Sequence, residues 1–324
     1  MSPTYQKSVH TIQASFPRNP DTVISPDVKL NLVVEEYIIP TAPARGLSLL
    51  LTHGTSFNKG FWELIIKEIL DKPGVSSCTK RILTLDAANH GDSAVMNTGK
   101  LVKDKTFWPD HSRDILKVLE HFQVEAPVIG VGHSFGGGAL SHAAMMAPSA
   151  LLATVFVEPI IFQFPGQTQI IADQALKRRD RWPSYEEARA AFSKSKGMSD
   201  WHPEQLQKYI DTAIHEVSSE GQTYWTLKTT KEQEAATYLA APFPAILELL
   251  ASSRQRHYFL VGRESKVINA DCREEIKKMS KSPGWVKIFE GAGHLIPMTH
   301  PHLLAEEVAA ILQEVVGSAG SAKL

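Results

Sequence analysis

The 324 residues predict an α/β fold, a mostly parallel central sheet covered by helices on both faces and interrupted by a helical insertion. Three features carry that reading. Apolar runs bounded by turn residues recur along the chain, segments of helical period alternate with them, and the alternation lapses over one long stretch between about Pro159 and Ser253.

The runs are LSLLLTH (47–53), RILTLD (81–86), APVIGVG (126–132), LLATVFVE (151–158), RHYFLVG (256–262) and WVKIFEG (285–291). They are apolar nearly throughout rather than at every second position, which marks strands buried on both faces. Between them, residues 61–70, 108–122 and 300–316 repeat apolar side chains at i, i+3 and i+4, with Asp or Pro near their starts, as amphipathic helices do. Strands alternating with helices build a parallel sheet. The earlier segments HTIQASFP and VKLNLVVEEYIIP supply leading antiparallel strands. Residues 1–158 and 254–316 then form two parts of one core, 159–253 a cap, and 317–324 a flexible tail. The cap stretch is helical in pattern, holds no buried strand and concentrates aromatic residues, Trp182, Trp201 and Trp225 among them. Such aromatics over a sheet edge imply an apolar, lidded pocket for a small molecule.

Composition excludes several classes. With 43% hydrophobic and 21% charged residues the chain is an ordinary globular one. A formal net charge of -1 gives no electrostatic case for nucleic acid or an anionic membrane. No apolar run is long enough to span a bilayer. The one dense basic cluster, Lys177 to Arg181, reads as a solvated helix face. Cys78 and Cys272 are isolated from each other, and the 13 histidines include no H-E-x-x-H, so neither a disulfide framework, a metal nor an organic cofactor is expected. The N-terminus lacks the apolar core of a secretory leader, which keeps the protein inside the cell. Its last three residues, Ala322, Lys323 and Leu324, are a close variant of the S-K-L peroxisomal address and predict an import receptor as partner.

The chemistry concentrates in VIGVGHSFGGGALSHAAM (128–145). G-x-S-x-G at Gly132, Ser134 and Gly136 is weak alone, but an apolar strand runs into it and a small-residue helix runs out. That context is a nucleophile elbow, where a strained turn lifts the serine onto a helix N-terminus and bulk two positions either side is excluded. A competing reading makes Gly130, Gly132 and Gly136 a dinucleotide cradle with Glu158 on a ribose, against which stand the bulky His133, Ser134 and Phe135. A serine nucleophile requires a base, and His294 in GAGHL follows the last apolar strand. His133 and His142 read as packing residues. The base in turn requires an acid. Glu158, ending a strand and held by Pro159, is preferred, with Glu264 in GRES as the alternative. Acyl transfer also needs oxyanion donors, supplied by the N–H of Phe135 and that of Thr55 or Ser56 beyond His53-Gly54.

Taken together these residues resemble the α/β-hydrolase superfamily. More narrowly, LDAANHGDSAVMNTGKL, WPDHSRDILKVL, GHSFGG, VFVEPI and GAGHL resemble the fungal peroxisomal lipase-like hydrolases, including those of host-selective toxin biosynthesis such as the AK-toxin type. The resemblance implies a cofactor-free serine hydrolase of the peroxisome acting on a lipid-like acyl compound. It carries over Ser134 and His294 by motif and sets Asp86 and His90 on a loop beside the pocket. The sequence departs from that pattern in lacking the expected aspartate, with Ser265 near its slot. The triple glycine after Ser134 is also similar to that of cofactor-free haloperoxidases. A non-catalytic binder of an acyl ligand on the same fold is the alternative from outside enzymology.

Overall fold

The computed structural model describes residues 5–44, 46–125, 127–219 and 221–321. In chain order the strands are β1 (Gln6–Gln13), β2 (Asn31–Ile38), β3 (Leu47–Thr52), β4 (Thr79–Leu85), β5 (Val128–His133), β6 (Ala153–Val157), β7 (Arg181–Trp182), β8 (Ile214–Ser219), β9 (Gln222–Leu227), β10 (Arg256–Gly262) and β11 (Val286–Phe289). The helices are α1 (Trp62–Asp71), α2 (Val75–Cys78), α3 (Gly91–Met96), α4 (Trp108–His121), α5 (Phe135–Met146), α6 (Pro165–Lys177), α7 (Tyr185–Ser193), α8 (Pro203–Ala213), α9 (Lys231–Leu239), α10 (Ile246–Ser252), α11 (Ala270–Met279), α12 (Ile296–Thr299) and α13 (Pro301–Ser321).

Eight strands make one sheet in the order β1-β2-β4-β3-β5-β6-β10-β11. β1 and β2 pair antiparallel, β2 joins β4 antiparallel, and the ladder from β4 to β11 is parallel. This is the α/β-hydrolase architecture expected from the alternation of runs. The continuous apolarity of those runs has a simple cause. Leu49, Leu51, Ile129, Val131, Val155 and Val157 face one apolar layer, with α1 and α13. Their chain neighbours Leu50, Val128 and Phe156 face a second layer, with α4, α5 and α11. Side chains alternate across a strand, so a sheet with two buried faces needs apolar residues at every position. Truncating one fully buried leucine, Leu50 or Leu312, to alanine costs about 2–5 kcal/mol.

β3 lies between β4 and β5, so the turns leaving β3 and β5 emerge side by side at the carboxyl edge of the parallel strands. A crevice at that edge is where open α/β sheets bind ligands. Over it lies the segment between β6 and β10. It holds helices α6 to α10, and also a three-stranded antiparallel sheet, β7-β9-β8, that a helical reading of 159–253 does not anticipate. These strands are largely exposed, so they lack the apolar run that marks a core strand. The basic cluster is corrected as well. α6 ends at Lys177, and Arg178 turns inward to pair with Glu234 rather than lying on a solvated face. The three terminal residues Ala322 to Leu324 lie outside the described residues.

Gly132 and Gly136 let β5 and α5 close on the turn between them. A Cβ on Gly132 would sit 2.8 Å from Gly136 O and Gly137 Cα, and one on Gly136 would sit 2.5 Å from His53 O. Backbone atoms cannot swing aside as a side chain can, so Gly136→Ala is expected to cost about 1–3 kcal/mol by overpacking. Gly166, whose Cβ would meet nothing within 4 Å, is the control. Thermal unfolding should show Gly136→Ala several degrees less stable than the wild type and Gly166→Ala unchanged or slightly more stable; equal melting temperatures for the two variants would contradict this account.

Candidate active site

Ser134 lies between β5 and α5 with φ 52° and ψ -118°. L-residues avoid this region, and the backbone is kept there by three bonds. Ser134 N–H donates to Val157 O at 3.0 Å, and Ser134 O accepts from Gly138 N–H at 3.0 Å and Ile160 N–H at 3.1 Å. Among the described residues four non-glycine residues have positive φ, Ser56, Gln123, Ser134 and Glu158, and three of them are in this site. Strain concentrates where surrounding structure over-determines it.

Ser134 Oγ is 3.0 Å from His294 Nε2, and His294 Nδ1 is 2.9 Å from Glu158 Oε2. A carboxylate only accepts, so Nδ1–H donates to Glu158 and Nε2 is left to accept from the Ser134 hydroxyl. Glu158 is fully buried, and its charge is met by two further donors: Gly262 N–H at 2.7 Å on Oε1 and Ser265 Oγ at 2.6 Å on Oε2. Ser265 thus fills the slot after β10 with a hydroxyl that braces a carboxylate arriving from the end of β6. Glu264, the alternative acid, is exposed, while its neighbour Ser265 faces inward. His294 is steadied from behind. Its carbonyl accepts from His133 Nε2–H at 3.1 Å, so His133, read from the sequence as packing, also anchors the loop that carries His294. Its position directly before Ser134 is the one sequence signal that could have pointed there. His142 does pack, its ring stacked 4.2 Å from Phe243.

Of the three oxyanion candidates, the backbone distinguishes two from the third. Ser56 N–H donates to His90 Nε2 at 3.3 Å, whereas among the described residues no protein acceptor meets the N–H of Thr55 or Phe135. The Thr55 turn lies directly against Ser134, since a Cβ on Gly54 would fall 3.0 Å from Ser134 Cβ. His53 sets this turn: its Nε2 accepts from Ala87 N–H at 3.0 Å, so its Nδ1–H donates to Gly54 O at 2.8 Å. Phe135 is held between rings, with His111 stacked at 5.0 Å, His90 at 5.9 Å and Trp108 edge-on at 4.8 Å.

A cavity of about 390 Å³ opens onto Ser134 and His294. Thr55, Phe57 and Trp108 line its core side, and Phe162, Phe164, Ile171, Tyr238 and Leu239 its cap side. It is of the size and apolar character of a small-molecule site. Asp86 and His90 lie below it rather than on its wall. Asp86 is fully buried against Lys59 Nζ at 2.9 Å and accepts from Lys59 N–H at 2.7 Å, tying the loop after β3 to the loop after β4. Burial would lower the Lys59 ammonium, but Asp86 and Asp92 outweigh it and raise it above the usual lysine value. The dinucleotide reading finds no room: the space over Gly136 and Gly138 is filled by His53 O and by Ile160 O. Among the described residues no group of three or more His, Cys, Asp or Glu could hold a metal ion.

Burial lowers four imidazoles around the site: His53, His90 and His111 in direction, His133 to about 3, with His294 close by adding to the effect. An unfolded histidine takes a proton below about 6.5. The unfolded chain therefore binds more protons than the folded one as pH falls from there, and stability drops toward acid. Between pH 6.5 and about 5, before ordinary carboxylates protonate, each such histidine contributes up to about 1.4 kcal/mol per pH unit. Unfolding followed against pH should be flat above 7 and decline through this window. His111→Phe, which keeps the stacked ring, should shed about one proton of that slope; an unaltered slope would show that His111 is not held neutral.

Residues 49–307 match the profile of the Alpha/beta hydrolase family. The type I acyl-CoA thioesterase mpaH of Penicillium roqueforti is 28% identical over 217 residues, 62% of this chain and 49% of that protein, so the match spans about half the length of that relative. The peroxisomal membrane protein LPX1 of Saccharomyces cerevisiae is 24% identical over 96% of this chain and 88% of its own. The crystal structure of that yeast peroxisomal α/β-hydrolase superposes with a TM-score of 0.83 at 22% identity, covering 97% of this chain and 90% of the other. The abhydrolase domain-containing protein AFT2-1 of Alternaria alternata is 24% identical over 57% of this chain and 83% of its own. With most of its length matched to the family profile and its sheet and helices in the same arrangement, the chain belongs to the alpha/beta hydrolase family.

Proposed function

We propose that this protein is a serine hydrolase that cleaves an ester or thioester of a lipid-like or polyketide-like acyl compound through an acyl-enzyme on Ser134. The observation that carries the reading is the unbroken relay from Ser134 through His294 to Glu158, opening at one end onto an apolar cavity. In this mechanism His294 Nε2 takes the hydroxyl proton as Ser134 Oγ attacks the acyl carbonyl, and Glu158 stabilises the imidazolium that forms. The N–H groups of Phe135 and Thr55 receive the developing oxyanion; Ser56 N–H is engaged by His90, which leaves the second donor to Thr55. His294 then hands its proton to the departing alcohol or thiol, and water, activated by the same imidazole, releases the acid.

The thioester arm of the proposal is supported by the Penicillium acyl-CoA thioesterases, and peroxisomal residence by the yeast relative together with the closing Ala322-Lys323-Leu324 read by an import receptor. A step in fungal secondary metabolism is the corresponding biological setting, supported by the resemblance of GHSFGG, VFVEPI and GAGHL to the hydrolases of host-selective toxin biosynthesis.

A fluorophosphonate probe should label the wild type and fail to label Ser134→Ala. Glu158→Gln, which offers the imidazole the wrong hydrogen-bonding partner, should lower turnover by about 10⁴-fold, while Glu264→Gln stays near wild type. An unlabelled wild type would favour an acyl-ligand binder, and a larger loss in Glu264→Gln than in Glu158→Gln would reverse the assignment of the acid.

A further inference from the structure

One polar cluster outside the triad joins the cap to the oxyanion turn. Ser56, directly after Thr55, has φ 75° and is held at both its backbone and its side chain. Its N–H donates to His90 Nε2, and its hydroxyl donates to the carboxylate of Glu234 on α9. Tyr238, one helical turn further along α9, places its hydroxyl 3.0 Å from Ser56 Oγ. A hydroxyl has one proton, and the carboxylate takes it, so the phenol of Tyr238 is the donor in that second contact. Arg178, just beyond the end of α6, forms an ion pair with Glu234, which is 3% exposed.

A buried carboxylate is costly to keep and is a poor way merely to join two helices. α6 and α9 already meet through Ala172, Ala175 and Ala235. What the carboxylate adds is a hold on a residue with left-handed backbone, next to Thr55, whose turn lies against Ser134 and whose N–H meets no protein acceptor among the described residues. Ser56 cannot keep that conformation by intrinsic preference. We infer that Glu234, acting through the Ser56 hydroxyl, is a positioning residue that sets the oxyanion turn, so that the seated cap and a competent Thr55 N–H go together. Glu234 touches no reacting atom; it fixes the chain that does.

The inference rests on the acyl-transfer reading of the site, and the experiment separates the two. The rate of fluorophosphonate labelling depends on the oxyanion donors because the phosphoryl oxygen develops charge as Ser134 attacks. Ser56→Ala leaves the Arg178–Glu234 pair in place. It should lower the maximal labelling rate about tenfold, a part of what outright loss of an oxyanion donor costs, with probe affinity and melting temperature unchanged. Glu234→Ala should show the same loss, Glu234→Gln should restore most of it by keeping an acceptor for Ser56, and Ser56→Ala/Glu234→Ala should be no slower than either single variant. A wild-type labelling rate in Ser56→Ala, or additive losses in the double variant, would overturn the inference and leave the hydrolase reading standing. Failure of the wild type itself to label would overturn both.

Discussion

The left-handed backbone at Ser134 is the constraint on which the remainder of the site depends. A serine in an ordinary helix start would lie along the sheet edge with its hydroxyl among backbone amides. Forced to φ 52°, it stands clear of both β5 and α5 and meets His294. Nothing local favours that geometry. It is sustained by Val157 O at the end of β6, by Ile160 N–H just beyond it, and by two glycines whose missing side chains admit the adjoining backbone. Precision at the hydroxyl is therefore a property of sheet packing, which is why the strands on either side are buried without exception.

The same economy explains the surroundings of Glu158. A carboxylate with no solvent exposure requires hydrogen bonds that satisfy its charge, and Glu158 finds three, from Gly262, Ser265 and His294. The end of β10 and the turn after it supply two of those donors instead of supplying the carboxylate itself. Moving the carboxylate one strand inward keeps the distance to the imidazole at 2.9 Å, because β6 and β10 are parallel neighbours in register. Serine at position 265 is then a consequence of where the charge sits: a second carboxylate there would face Glu158 without a counterion.

Periodicity and local motifs made much of this legible. Both sheet faces are apolar, so the core strands announce themselves in the runs around Leu49, Val131 and Val155, and the elbow is written in contiguous residues from Gly132 to Gly136. His294 was readable because it follows the last strand directly after Gly291 and Gly293. The cap was less so: β8 and β9 carry mixed, exposed sequences in which a strand and a helix look alike. The link between Ser56 and Glu234 spans 178 positions and follows no pattern, since it exists only once α9 is laid over the turn after β3. Arg178 misled for a related reason. A run of basic residues reads as solvent-facing, and only the buried partner on another helix turns one member of the run inward.

Below Ser134 and His294 the protein uses neutral imidazoles where amides or ion pairs could have been placed. A neutral histidine can accept from one backbone segment and donate to another while its ring fills an aromatic slot. His53 accepts from Ala87 and donates to Gly54; His90 accepts from Ser56 and donates to Asn89 Oδ1; His133 donates to the carbonyl of His294. Each ring so joins two loops that come from distant parts of the chain. An imidazolium could not do this at His53 or His90, because both nitrogens would be donors and the N–H of Ala87 or Ser56 would lose its acceptor. If Phe135 and Thr55 donate to an oxyanion as proposed, a fixed positive charge beneath them would stabilise a negative charge in the resting site as well as in the transition state, whereas neutral rings would leave the backbone N–H groups to act chiefly on charge that develops during reaction. Burial deep enough to keep these rings unprotonated thus helps to hold the turns after β3 and β4 against each other, and the apolar core around them has a role beyond holding the sheet together.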